Sequence, residues 1–249
     1  MRNLKFILKD KVYIMKKSSS ELKYMAKERL LGHYGLFIGA GLLIGGISVV
    51  VSLALNMVFP LNNTVSMTLY FISSLIVGLL SSLLIMGYLK MFLNFSRGQE
   101  THLGTLGFAF SNQPDRVILL MLLMALLMLL CVLPGILLIL AANFMHVIAM
   151  SALGIFVLLT GCVIAIILAL NYALAMLLYL DAPEKGVIQL MRESRQLMKG
   201  NRVRFFYLQI SFFGLILLSL LTCYIGMLWL IPYMQMTSVL FYRNVLQEI

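Results

Sequence analysis

Six long apolar runs, separated by short connections, constrain the fold of this chain more than any other feature. Each run is near or above the ~20 residues that an α-helix needs to cross ~30 Å of hydrocarbon. Only 11% of the residues are charged, against ~25% in soluble domains. The sequence therefore predicts an all-α polytopic membrane protein with six transmembrane helices in three hairpins. The predicted spans are residues 35–58, 66–93, 117–141, 147–179, 204–223 and 226–242.

The positions of the basic residues predict the orientation of these spans. Nine Lys and Arg residues lie in residues 2–29, three in 90–116, six in 185–204 and one at Arg243, which accounts for all 19. The three remaining connections contain none; they are residues 59–65, 142–146 and 223–226. Because loops rich in Lys and Arg face the cytoplasm, the four charged segments are predicted to be cytoplasmic. Both termini then lie in the cytoplasm.

Two features of the apolar runs concern helix packing. Four glycines in the first run form small-xxx-small pairs, which let transmembrane helices approach closely; they are Gly35, Gly39, Gly41 and Gly45. The fourth run is too long for an upright span. We expect it to tilt strongly, to project beyond the lipid, or to break near Gly154 or Gly161.

Amphipathic helices are predicted along the cytoplasmic face of the membrane, over residues 18–32, 101–111 and 182–199. Ser18 and Glu21 form a capping box at the start of the first of them. Asp181 and Glu184 have the same spacing at the start of the third, which Gly200 ends. Apolar side chains at helical spacing then form one face of each helix.

The N-terminal segment is predicted to lie outside the membrane domain. Residues 1–17 are a basic extension, and residues 18–249 form a single membrane domain. A cleavable signal peptide is not expected, because residues 1–34 lack an apolar core of the required length. Met15 begins the run Met-Lys-Lys-Ser, so Met1 and Met15 both stay open as the natural start.

Two blocks of the chain carry a family resemblance. One starts with ESRQLMKGN at Glu193, and the other is MKKSSSELKYMAKERLLGHYG, a charged segment that ends in glycine. Over residues 15–246 the chain resembles an uncharacterised bacterial membrane family catalogued as domain of unknown function 975, typical of low-GC Gram-positive bacteria. The matching positions are Glu193, Ser194, Leu197, Met198, Gly200, Gly214, Gly226, Trp229, Pro232, Tyr233, Phe241 and Tyr242.

The resemblance implies a multi-pass protein of the bacterial cytoplasmic membrane. The family has no agreed activity. Its layout is similar to the membrane domain attached to some glycerophosphodiester phosphodiesterases. That similarity lends no catalytic residues to this chain.

The titratable residues do not predict an enzyme. Catalysis requires convergent titratable groups, whereas His33 and His102 fall in charged segments and His146 falls on the opposite side. Neither HxxxH nor HExxH spacing occurs, so no metal site is indicated. We therefore expect no catalytic residue and no cofactor.

Two groups of residues are candidates for ligand contact. Five basic residues near the membrane surface are candidates for binding anionic lipid head groups, at ~1 kcal/mol each; they are Arg192, Arg195, Lys199, Arg202 and Arg204. The alternative is that they only determine topology. The candidates for lining a cavity between the spans are Asn171, Tyr172, Tyr233 and Gln235. Their alternative role is hydrogen bonding between helices.

Two functional hypotheses follow from these patterns. The first is a non-enzymatic membrane component that interacts with lipids or with other membrane proteins, in envelope homeostasis or in the response to membrane-active peptides. The alternative is a small transporter or permease-like subunit with a cavity between the spans. The expected partners are membrane lipids, anionic ones included, and other membrane proteins, while the oligomeric state stays open. Nucleic acid is not expected, because the basic residues adjoin the apolar runs without interleaved exposed aromatic residues.

Overall fold

The computed structural model describes residues 16–60 and 62–249, and over these residues the chain is helical without β-strands. The predicted all-α class is therefore confirmed. Nearly all of the predicted N-terminal extension, residues 1–17, lies outside the described residues. The helices are α1 Ser19–Leu30, α2 Tyr34–Val58, α3 Thr64–Ser96, a 3₁₀-helix Leu103–Gly107, α4 Phe108–Ser111, α5 Pro114–Met145, α6 Ile148–Tyr172, α7 Ala175–Asp181, α8 Val187–Leu197, α9 Arg202–Ile210, α10 Phe213–Leu221 and α11 Met227–Val245.

Several of these helices are long and apolar enough to cross a membrane, which confirms the polytopic membrane class. Within the described residues five segments meet this description: Tyr34–Val58, Thr64–Ser96, Pro114–Met145, Ile148–Asp181 and Arg202–Leu221. The predicted sixth span, α11, is not among them; its polar residues include Gln235, Arg243 and Asn244. The count of six spans stays a prediction.

The long helices form three antiparallel hairpins, α2 with α3, α5 with α6, and α9 and α10 with α11. The third hairpin is paired along its length by aromatic contacts. The ring centroids of Phe205 and Phe241 lie 4.8 Å apart, and those of Phe212 and Tyr233 lie 5.3 Å apart. Since the 19 residues of α11 rise about 28 Å, α11 brings the chain back to the end where α9 began.

The charged segments of the chain meet at one end of the helix bundle, which we call the charged end. Arg97 pairs with Asp181 at 2.5 Å, and Arg204 Nε donates to the Lys17 carbonyl at 3.0 Å. Arg116 donates to the Pro183 carbonyl at 2.8 Å. The structure thus places the four charged segments together, as the distribution of basic residues predicted. That this end faces the cytoplasm stays a prediction.

Glycines let α5 and α6 pack with their backbones in contact. A Cβ added at Gly161 would overlap the carbonyl oxygen of Cys131, and one at Gly135 would lie 2.5 Å from the Cα of Leu158. Only hydrogen in place of a side chain permits this approach. The α5–α6 pair is the most extensively packed pair of helices in the described chain.

The prediction of close packing at the four glycines of the first span was wrong for contacts within the described chain. A Cβ added at Gly35, Gly39 or Gly45 meets no atom within 4 Å. At Gly41 the nearest atom is the Tyr88 hydroxyl oxygen, at 3.5 Å. This side of α2 faces away from the other described helices, whereas the glycines of α5 and α6 face each other.

The fourth predicted span does not break near Gly154 or Gly161; it is interrupted only by a turn at Ala173 and Leu174, both of which keep right-handed helical dihedral angles. The helix α6 ends at Tyr172, and α7 resumes at Ala175. A helix end leaves carbonyl groups without intrahelical partners, and the buried Ser194 hydroxyl of α8 donates to the Asn171 carbonyl at 2.9 Å. Contact with α8 therefore stabilises the turn at this position.

The predicted start of the third amphipathic helix was also wrong. The helix α8 begins at Val187, whereas Asp181 is the last residue of α7. Asp181 does not cap a helix, because its carboxylate accepts hydrogen bonds from Arg97 at 2.5 Å and from the Tyr242 hydroxyl at 2.6 Å. The predicted end agrees better, since α8 ends at Leu197 and Gly200 has a φ of 81°.

The apolar faces of α1 and α8 are covered by protein. Leu22, Ala26 and Leu30 of α1 are fully buried, and α1 packs against α11. Leu190 and Ser194 of α8 are fully buried, and α8 packs against α6 and α7. Both helices are therefore integral parts of the helix bundle at its charged end.

Candidate functional site

The main candidate site is a lateral groove between α10 and α11, with a volume of about 420 Å³. Each helix contributes a stripe of residues at helical spacing. The stripe from α10 and its C-terminal turn is Leu215, Leu218, Ser219 and Thr222, and the stripe from the start of α11 is Gly226, Trp229, Leu230 and Tyr233. Lys27 of α1 and Tyr34 of α2 complete the lining. We call this site the lateral groove.

The two helices touch at both ends of the lateral groove. Towards the charged end, the rings of Phe212 and Tyr233 meet edge to face. At the other end a Cβ added at Gly226 would lie 2.9 Å from the Cβ of Ser219. The apolar side chains of the groove lie between these two contacts in sequence. The groove therefore has the shape of a short apolar slot.

The cationic groups of the lateral groove belong to α1. Lys27 lines the groove and is exposed. One turn earlier, Lys23 Nζ lies 4.1 Å from the centroid of the Phe212 ring and donates to the Ser211 carbonyl at 2.8 Å. Burial lowers the pKa of Lys23 from its ordinary value. Because Lys23 is engaged by the protein, Lys27 is the lysine that a ligand in the groove would meet.

The hydroxyl groups of the groove do not form a catalytic arrangement. Ser219 Oγ donates to the Ile216 carbonyl at 2.7 Å, and Thr222 Oγ1 donates to the Ser219 carbonyl at 3.0 Å. Activation of such a hydroxyl requires a neighbouring base. Neither a histidine nor a carboxylate is among the described residues that line the groove. Its chemistry suits binding.

The structure does not bring the four predicted cavity residues together. Tyr233 lines the lateral groove, but Asn171, Tyr172 and Gln235 do not. Asn171 is buried where α6 meets α8, and its Oδ1 has no hydrogen-bond partner among the described residues. Tyr172 and Gln235 are half-buried. The transporter hypothesis therefore gains no common site from these residues.

The five predicted head-group residues divide into two sets. Arg192, Arg195 and Lys199 are exposed on α8 and the turn that follows it. Arg202 and Arg204 are half-buried. Arg204 donates to the Lys17 carbonyl and to Asn244, and its guanidinium lies 4.9 Å from the centroid of the Phe241 ring. Of the five residues, only Arg204 makes such contacts in the described chain; Arg202 is half-buried, and its Nε has no hydrogen-bond partner among the described residues.

A family model described as "Protein of unknown function (DUF975)" matches residues 15–248. The chain belongs to the DUF975 family. The resemblance carried by the two signature blocks is thereby confirmed. Comparisons of this DUF975 chain with curated proteins and with solved structures found no match.

The structure explains what several signature residues of this DUF975 chain do. Ser194 joins α8 to the end of α6, and Tyr242 joins α11 to Asp181. Gly226 and Tyr233 are the points where α11 meets α10 at the two ends of the groove. The signature thus includes residues that hold the third hairpin and its groove in shape.

Sequence reasoning missed the lateral groove itself, although part of the signal was present. Leu215, Leu218 and Thr222 share a helical face, and so do Gly226 and Tyr233 of the facing helix. Paired stripes of this kind predict that two helices face each other. No local pattern could have added Lys27, because α1 reaches the groove only through tertiary packing.

The described residues of this DUF975 chain contain no cluster of three or more His, Cys, Asp or Glu side chains that could hold a metal ion. The expectation of no metal site stays a prediction for the whole chain.

Proposed function

We propose that this DUF975 protein is a non-enzymatic membrane component that holds one anionic amphiphile in the lateral groove. The observation that carries the proposal is the combination of an apolar slot with one exposed cation, Lys27, at its wall. An anionic phospholipid has the matching chemistry. Its acyl chain would lie against Leu215, Leu218 and Leu230, and its head group would face Lys27.

Charge complementarity supports an anionic rather than a zwitterionic or cationic occupant. Among the described residues, the groove is lined by one lysine and by no carboxylate. The hydroxyl groups of Tyr34 and Tyr233 add hydrogen-bond donors to the polar part of the wall. An isolated cation beside an apolar surface favours a ligand that carries a negative charge next to a hydrocarbon chain.

The exposed basic residues of α8 have a second, less specific role in this proposal. Arg192, Arg195 and Lys199 lie at the charged end without carboxylate partners among the described residues. They attract anionic lipids to the membrane surface around the protein. A membrane component with these two properties suits envelope homeostasis or the response to membrane-active peptides, which are themselves amphiphiles.

The groove can be tested with two variants that change it in different ways. Lys27→Gln removes the cation, and Leu218→Trp fills the apolar slot. We expect Lys27→Gln to reduce the tightly retained phosphatidylglycerol roughly fivefold, since one such charge contributes ~1 kcal/mol, and Leu218→Trp to abolish retention. The measurement is native mass spectrometry of the full chain released from uncharged detergent.

The matched control for Lys27→Gln is Lys16→Gln, which removes the same charge from an exposed position outside the groove. It should retain phosphatidylglycerol as the unmodified protein does. Equal retention in Lys27→Gln and Lys16→Gln would show that the groove cation does not select the lipid. Unchanged retention in Leu218→Trp would refute the groove as the binding site.

The proposed attraction of anionic lipids by the exposed basic residues of α8 predicts a separate result. Replacing Arg192, Arg195 and Lys199 together with glutamine should lower the enrichment of phosphatidylglycerol around the protein severalfold at low salt. It should leave the single tightly retained lipid in place, because these residues do not line the groove. Lipid enrichment in mixed vesicles, measured at low and high salt, tests this. An enrichment that is insensitive both to the substitutions and to salt would contradict it.

A further inference from the structure

Three arginines surround a second cavity, at the charged end where α3 terminates. The cavity has a volume of about 380 Å³ and is lined by Arg29, Phe95, Ser96, Arg97, Gly98 and Arg243. Arg29 comes from α1, Arg97 follows α3, and Arg243 comes from α11. All three arginines are half-buried. We call this site the arginine pocket; it shares no lining residue with the lateral groove.

One structural role of these arginines is to cap α3. The last carbonyl groups of a helix lack intrahelical partners and carry partial negative charge. Arg29 and Arg243 each donate from Nη1 to the Ser96 carbonyl. This contact uses one N–H group of Arg29, whereas a guanidinium group has five. Capping therefore leaves most of the donors of Arg29 available.

The carboxylates at the charged end are engaged by the other two arginines. Arg97 donates to both oxygens of Asp181, at 2.5 and 2.9 Å, and to Glu248 at 2.7 Å. Arg243 Nε donates to the second oxygen of Glu248 at 2.9 Å. Two carboxylates thus serve Arg97 and Arg243. Arg29 has no carboxylate partner among the described residues.

Counted over the part of the chain that the structure describes, the pocket consequently holds one more positive charge than its carboxylates balance. Arg29 and Arg243 converge on the same carbonyl oxygen, so their like charges are held close together. Burial and the charge of Arg243 both lower the pKa of Arg29 from its ordinary value. A half-buried cation beside a like charge is stabilised by an anion that both can reach.

We propose that the arginine pocket binds a phosphate-type oxyanion between Arg29 and Arg243. Guanidinium groups match such anions because their planar N–H donors engage two oxygens at once. The anion would also neutralise the surplus charge of the pocket. The pocket lies at the charged end of the bundle, outside the predicted apolar spans. The phosphate therefore belongs either to a phospholipid head group or to a soluble phosphate.

Thermal stability of the full chain distinguishes these sources. In uncharged maltoside micelles, inorganic phosphate is compared with chloride at equal ionic strength. In nanodiscs, phosphatidylcholine is compared with phosphatidylcholine containing phosphatidylglycerol. Stabilisation by inorganic phosphate indicates a soluble ligand, and stabilisation by phosphatidylglycerol alone indicates a head group. Either result supports the site when Arg29→Gln weakens the response about tenfold or more.

The control variants separate this pocket from other basic surfaces. Arg195→Gln removes an exposed arginine from α8, and Lys27→Gln removes the cation of the lateral groove. Both should keep the response to inorganic phosphate that Arg29→Gln loses. For phosphatidylglycerol the control is Lys16→Gln, which lies outside both sites and should keep the response. If Arg29→Gln does not fold, Arg29→Lys keeps the charge but loses the planar fork, and it should also weaken the response.

Two results would overturn the proposal. The first is the absence of stabilisation of the unmodified protein by either phosphate or phosphatidylglycerol. The second is an Arg29 variant that responds as strongly as the unmodified protein. A loss of lipid retention in Lys27→Gln with an intact response to phosphate would separate the two sites.

Discussion

Gly161→Ala is expected to cause a large loss of stability, on the order of 3 kcal/mol. The added Cβ would overlap the carbonyl oxygen of Cys131 on the facing helix. Because the overlapping atom belongs to the backbone, no side-chain rotation can relieve the clash. The helices α5 and α6 would have to separate along the most extensively packed pair in the described chain.

The measurement is the temperature at which half of the purified protein is lost from the monodisperse peak after heating in detergent. A loss of this size should lower it by roughly 10 °C. Gly45→Ala is the matched control, because a Cβ at Gly45 meets no atom within 4 Å. That control should be neutral or slightly stabilising, since alanine favours helix more than glycine does. Equal effects of the two substitutions would mean that α5 and α6 do not pack as described.

Asp181→Asn should produce the second large effect, a loss of about 2 kcal/mol, because it removes the charge from hydrogen bonds of the kind that contribute most to stability. Asp181 accepts two hydrogen bonds from Arg97 and one from the Tyr242 hydroxyl. Its side chain is 21% exposed, so solvent screens these contacts only partly. The substitution would loosen α3, α7 and α11 from one another at the charged end.

Glu184→Gln is the control for Asp181→Asn. Glu184 lies three residues further along the chain, is exposed, and pairs with no basic side chain of the described chain. Both variants lose one negative charge in the same segment, so a general electrostatic effect would move them equally. If the hydrogen bonds of Asp181 with Arg97 and Tyr242 cause the loss, the transition temperature of Asp181→Asn must lie well below that of Glu184→Gln in the same thermal assay. A difference within error between the two would refute this explanation.

Features that depend on neighbouring residues could be predicted from the sequence. Ser18 and Glu21 form the predicted capping box: the Ser18 backbone N–H donates to Glu21 at 2.6 Å, and the Glu21 backbone N–H donates to Ser18 Oγ at 3.2 Å. The helical stripe of α1 likewise marks its buried face. Both signals arise within one or two turns of helix, so tertiary structure has little opportunity to override them.

Features that depend on distant partners could not be predicted in this way. Asp181 and Ser18 have the same spacing to a following glutamate, yet Asp181 binds Arg97, 84 positions earlier. Gly45 and Gly161 both lie in apolar runs, but only Gly161 faces another helix. Sequence spacing defines the faces of a helix, and only the packing of the bundle determines which face meets a neighbour.

The residues of the candidate sites could likewise be predicted only in part from the sequence. Tyr233 was among the predicted cavity residues, and it does line the lateral groove. Lys27 and Arg29 were not predicted as ligand contacts, since in sequence they are ordinary basic residues of an amphipathic helix. Their role becomes visible only when α1 is placed against α11 and the end of α3.

The contact between Lys17 and Asn244 has a consequence for the order of assembly during synthesis. The Lys17 backbone N–H donates to Asn244 Oδ1 at 3.3 Å across 227 positions of sequence. Hairpins such as α5–α6 involve short chain separations and can form as soon as both helices are inserted. The charged end, by contrast, closes only after the ribosome has released α11. Until then Arg29 and Arg97 lack their C-terminal neighbours, so a ribosome stalled before residue 243 would leave a protein whose hairpins are formed and whose arginine pocket is open.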